Sequence, residues 1–126
     1  MNLFILLSMI FCHIVDDYYL QGWLASAKQK KYWRDNAPQK MYKYDYIVAL
    51  IMHSMSWAFM IMLPIALTVS FDVSISFIVA FVINVIIHAI TDNAKANWFK
   101  INLIIDQSIH LIQIIVTFVL LYVLKI

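Results

Sequence analysis

The chain has 126 residues, 64% of them hydrophobic and 13% charged, with a mean hydropathy of +0.84 and a formal net charge of +2. This composition lies far outside the range of ordinary soluble domains and predicts a membrane protein. One Gly and two Pro leave no glycine-rich phosphate loop, the absence of Glu removes any metalloprotease signature built on a glutamate base, and the single Cys12 cannot form an internal disulfide.

Four apolar segments follow one another at about 2–26, 45–69, 73–94 and 101–124, each close to the ~20 residues that a spanning helix needs. They predict an all-α fold, an integral membrane four-helix bundle that forms a single transmembrane domain over 1–126. The first segment carries His13, Asp16 and Asp17 and has neither a basic start nor a small-residue cleavage site, so it reads as a retained helix rather than a signal peptide. A basic loop, 28–44, comes next, with Lys28, Lys30, Lys31, Arg34, Lys40 and Lys43. The second segment holds His53 and Pro64, where a kink is expected. The third holds His88 and Asp92, the third connection Lys95 and Lys100, and the fourth segment Asp106 and His110. The second connection has only Asp72, and Lys125 is the one cation near a terminus. Cations on the first and third connections predict that these are cytoplasmic, with both termini non-cytoplasmic, in a bacterial inner membrane.

All four histidines lie inside apolar segments, and three have an aspartate four residues away: His13/Asp17, His88/Asp92 and Asp106/His110. That spacing puts both members of a pair on one helix face. At 1.5 Å per residue, Asp17, His53, His88 and His110 lie about 10–16 Å from the cationic ends of their segments, so they share one level in the cytoplasmic half. Asn84, Thr91, Gln107, Gln113 and Thr117 extend these faces into polar stripes, which must point into the bundle, because an Asp facing lipid costs about 2.5–3.5 kcal/mol.

Imidazole and carboxylate together suit a divalent transition metal, zinc first, with manganese or iron as alternatives. The set His13, Asp17, His53, His88, Asp92, Asp106 and His110 is large enough for one or two ions. Asp16, Asp17 and Asp106 are the candidate catalytic carboxylates; Asp16, the one expected to take a proton from water, is the weakest member of the cluster and reads as a supporting or cavity-lining residue rather than a ligand, since on an α-helix it points about 100° from Asp17. Lys95 and Lys100 are the nearest candidate contacts for a phosphate. The expected activity is metal-dependent hydrolysis of a lipid-linked or amphiphilic (phospho)ester. Two alternatives stand beside it: a proton or metal-ion translocator, and a non-catalytic phage or bacterial interaction protein with a structural metal. The basic loop mixes cations with Tyr32, Trp33, Tyr42, Tyr44 and Tyr46, which suits membrane lipids and anionic headgroups; no nucleic-acid reading surface fits in so short a segment. A bundle this thin can pair as a homo-oligomer.

The succession HIVDDYYLQ with Trp23 and Lys28, then His53, HAITDNAK and DQSIHL, resembles the small bacterial and phage membrane proteins of the family numbered 3307 among domains of unknown function. In that family the first helix typically reads His-x-x-x-Asp-x-x-x-Gln, matched by His13, Asp17 and Gln21. The third reads His-x-x-x-Asp-x-x-Lys, matched by His88, Asp92 and Lys95, and the fourth Asp-Gln-x-x-His, matched by Asp106, Gln107 and His110. Asp16 departs from the pattern, which has a small residue there. The resemblance implies a similar His/Asp usage to membrane-embedded metal-dependent hydrolases, by analogy.

Overall fold

The computed structural model describes residues 2–126; Met1, the first residue of the expected domain span, lies outside them. Among the described residues there are six α-helices and no strand: α1 Leu3–Val15, α2 Leu24–Ala27, α3 Lys30–Asn36, α4 Asp45–Thr68, α5 Ile75–Ala96 and α6 Leu103–Phe118. Wider π-helical turns, Asp16–Leu20 and Val119–Val123, prolong α1 and α6. Four stretches are long and apolar enough to cross a membrane: Leu3–Leu20, Lys40–Thr68, Ile75–Ala96 and Leu103–Val123.

The helix starts are written locally. Asn2, Ser74 and Asn102 cap α1, α5 and α6 by accepting from the backbone N–H of Phe4, Phe77 and Ile105 at 3.0, 3.2 and 3.0 Å, which satisfies donors that a helix cannot pair internally. α4 stays helical through Pro64. The first apolar segment does not run on to residue 26 as one helix. It breaks at Gly22, whose φ of +54° places it in the left-handed region that only glycine enters cheaply, and the chain turns into α2. The expected basic loop is likewise partly folded, as α3 and a 3-10 turn at Lys40–Tyr42.

The four long helices pack in a ring: α1 against α4 and α6, α4 against α5, and α5 against α6. One half of the interior is an apolar core of Met9, Trp57, Ala58, Ile61, Met62, Ile65, Ile114 and Phe118. The other half is polar, with His13, Asp16, His53, His88, Asp92, Asp106 and His110 all at most 2% exposed. Outward positions carry Phe4, Ile75, Ile83 and Ile104, all exposed. Large apolar side chains outside and charged ones inside reverse the arrangement of a protein folded in water.

Candidate functional site

The π-turn at the end of α1 sets the direction of the two adjacent aspartates. A wider turn rotates the residues differently from an α-helix, and such turns occur often at functional sites. Asp16 and Asp17 both point inward and straddle one ring: His53 Nδ1 lies 3.7 Å from Asp16 Oδ2, and His53 Nε2 lies 3.2 Å from Asp17 Oδ1. Asp16 also accepts from Ser56 Oγ at 2.5 Å, one turn along α4. It therefore lies behind His53, its Oδ2 buried without a hydrogen-bond partner, while Asp17 stands in front.

Two groups of donors come together around His88. Asp17, His53 and His88 form one set, and His88, Asp92 and His110 the other; in each, one ligand atom per residue lies within 4.8 Å of the others. His88 stacks on His110 with ring centroids 4.1 Å apart, and on Trp57 at 4.2 Å. Both His88 ring nitrogens are buried without a hydrogen-bond partner. Asp92 Oδ2 lies 3.4 Å from His53 Nε2 and 3.6 Å from His88 Nε2, so the two sets are in contact.

His110 is oriented through a relay of side chains. Asn84 Nδ2 donates to Thr117 Oγ1 at 2.8 Å, and Gln113 Nε2 donates to Asn84 Oδ1 at 3.1 Å. Gln113 therefore presents its carbonyl Oε1 to His110 Nδ1 at 3.2 Å, so Nδ1 carries the proton in a neutral ring and Nε2 carries the lone pair. That lone pair faces Asp92 Oδ1 at 3.3 Å and Asp106 Oδ1 at 3.4 Å. Three acceptors crowded in a buried space repel one another unless a proton or a cation lies between them.

His13 is differently placed. Its Nδ1 accepts from Trp57 Nε1 at 2.8 Å, and its Nε2 meets Gln107 Oε1 at 3.0 Å. Both nitrogens are thus engaged, and His13 belongs to neither three-residue set. Gln107 Nε2 reaches Asp17 Oδ2 and Asp106 Oδ2, both at 3.0 Å, and so links α1 to α6. Gln21 Nε2 donates to the Asp17 carbonyl at 2.8 Å. Asp106 Oδ2 is held by Lys95 Nζ at 2.6 Å, while Lys100 is exposed.

Several participants were not expected from the sequence. Lys28, at the end of α2, folds back into the bundle and donates to Asp92 Oδ2 at 2.6 Å, with its side chain 8% exposed. Asn97 anchors this return by donating to the Lys28 carbonyl at 2.9 Å and accepting from the Lys30 N–H at 2.7 Å. Trp57 is the floor on which the histidines rest, and Ser56 holds Asp16. The signal for Trp57 was present: it lies four residues after His53, on the same face of α4.

Fold and site together define an all-helical protein with four membrane-length helices around a buried His/Asp cluster. The model of a family described as a protein of unknown function, DUF3307, matches residues 5–126, and the chain belongs to that family. Neither the curated proteins nor the solved structures gave a match.

Proposed function

We propose that the protein crosses a bacterial inner membrane four times, with α2, α3 and the Asn97 turn on the cytoplasmic side and both termini on the other. In its cytoplasmic half it binds one or two divalent transition-metal ions, zinc first, and hydrolyses a lipid-linked or amphiphilic phosphoester. The observation that carries the reading is the pair of donor sets sharing His88, lined by buried nitrogen and oxygen atoms that have no hydrogen-bond partner: His88 Nδ1 and Nε2, His110 Nε2 and Asp106 Oδ1. Unpaired buried polar atoms cost about 1–3 kcal/mol each, and a cation among them removes that cost.

A divalent ion in such a site supplies Lewis acidity and an acidified water. The chain's own groups divide the remaining work. Gln113 behind His110 fixes ring orientation in the manner of an amide behind a metal-bound imidazole, and Asp16 lies 3.7 Å behind His53, where it would take the same place. Asp106, outside both donor sets, is a carboxylate placed to accept a proton, while Asp17 belongs to the set with His53 and His88. Lys28 and Lys95 bring positive charge beside them, which favours a phosphate-bearing substrate. A 540 Å³ opening between α1 and α6, bordered by Ile10, Ile14, Tyr18, Tyr19 and Leu111, reaches inward to His13 and Gln107. It offers an apolar tail a way in from the bilayer.

Proton passage is the second reading, favoured by the line of polar side chains from Lys28 through Asp92, His110, Gln113 and Asn84 to Thr117. Against it, Met9, Trp57, Ile61, Ile114 and Phe118 fill the interior beside that chain. Elemental analysis of the detergent-purified protein, beside a His88→Ala/Asp92→Ala variant, separates the two. One or two equivalents of metal, lost in the variant, support the hydrolase reading; a metal-free protein of normal thermal stability overturns it.

A further inference from the structure

Away from the histidines, the basic segment between α2 and α4 folds around a second cavity. It has a volume of 500 Å³, and its lining includes Lys30, Arg34, Lys40, Lys43, Trp33 and Tyr42, with no carboxylate. The size is that of a small-molecule site. Its aromatic walls are organised: Trp33 stacks on Tyr42 with ring planes 21° apart. Two of the cations ride on other rings, Lys30 Nζ 5.0 Å from the centroid of Tyr46 and Lys43 Nζ 5.3 Å from that of Tyr44, where the π-face attracts an ammonium group and narrows its range of positions. Arg34 shares its charge with Asp35 at 3.3 Å. Lys30, Lys40 and Lys43 have no salt-bridge partner among the described residues.

A segment whose only task was to mark the cytoplasmic side would need the charges but no cavity. Four cations around an aromatic-walled space, three of them with no acid to neutralise them, make an anion site. The surroundings select the kind of anion. Met41, Ile47 and Val48, next along the chain, are exposed apolar side chains, so a ligand with an anionic head over the lysines and a hydrocarbon tail along the start of α4 satisfies both surfaces.

We infer that this cavity binds the headgroup of an anionic phospholipid, with Lys30, Lys40 and Lys43 on the phosphate. The inference rests on the membrane reading of the chain but not on a metal. Lys30→Gln/Lys40→Gln/Lys43→Gln changes three exposed side chains and leaves the α4 core untouched. The test is native mass spectrometry of the full-length protein in detergent, titrated with an equimolar mixture of phosphatidylglycerol and phosphatidylcholine.

The expected result is saturable retention of one phosphatidylglycerol in preference to phosphatidylcholine, weakened roughly tenfold or more in the triple variant and kept by Lys40→Arg/Lys43→Arg. Equal retention of the two lipids overturns the inference, as does a triple variant that is unchanged but still folded by circular dichroism. Displacement of the lipid by millimolar inorganic phosphate also overturns it, since the cavity would then be reading a free anion. The readout needs neither metal nor turnover, so its failure leaves the metal reading standing, and a metal-free protein leaves this one standing.

Discussion

His110 concentrates the chemistry of this molecule in a single ring. Its Nδ1 is spent on Gln113, its Nε2 is turned towards two carboxylates, and its face is covered by His88. Gln113→Leu removes the acceptor that orients the ring while roughly preserving volume. If the cluster holds the proposed metal, competition against a chelator of known affinity should show binding weakened by 10–100-fold, the range found when such a supporting partner is lost; unchanged affinity would mean that the relay to Thr117 serves packing alone. Lys28 gives a contrasting case. Its ammonium at 2.6 Å from Asp92 is a buried ion pair, and removing one partner of such a pair costs about 3–5 kcal/mol because the other charge stays behind. Lys28→Met is therefore expected to unfold at a markedly lower temperature. If a divalent ion does neutralise Asp92, added metal should restore part of the loss, and a melting curve with and without zinc reads both effects.

The elements explain why some of this could be foreseen and some could not. The inward set of His13, Asp17, His53, His88, Asp92, Asp106 and His110 was legible because charged groups on apolar helices have only one acceptable direction, and a four-residue spacing fixes which neighbours share it. Asp16 was legible as a supporting or cavity-lining residue, but the π-turn that aims it inward together with Asp17 was not, since no spacing announces such a turn. Lys28 was hidden for a similar reason. A basic residue at a helix end reads as cytoplasmic, whereas here the break at Gly22 reverses the chain and α2 brings it back over Asp92. That break carries its own test. The nearest atom to a Cβ built at Gly22 is the Leu20 carbonyl oxygen, 3.9 Å away, so space is sufficient and only the positive φ resists a side chain. Gly22→Ala should thus cost about 1 kcal/mol, in line with left-handed strain, measured by thermal or denaturant unfolding in detergent. A loss several times larger would mean that the turn also positions Lys28.

At the scale of the whole molecule, two halves of one interior do different jobs, and the orientation decides which compartment each half faces. The polar half lies at the end that carries α2, α3 and the Asn97 turn, and the apolar half lies towards the α4–α5 turn and the two termini. Lys28, Lys30, Lys31, Arg34, Lys40, Lys43, Lys95 and Lys100 all belong to the first end, against Lys125 at the second, so the bias of cytoplasmic loops towards Lys and Arg predicts a polar half turned to the cytoplasm. In a Cys12→Ser background, Lys125→Cys should react with a membrane-impermeant maleimide added to intact spheroplasts, and Lys40→Cys should react only after the membrane is opened. The reverse pattern would invert the topology while leaving the bundle unchanged, and would move the histidines to the outer leaflet. The distinction matters for chemistry as well as placement. On the hydrolase reading proposed above, the compartment that labels Lys40→Cys is the one nearer the His/Asp cluster, and because Lys28 and Asn97 close that end, the opening between α1 and α6 is the route left for an amphiphilic substrate.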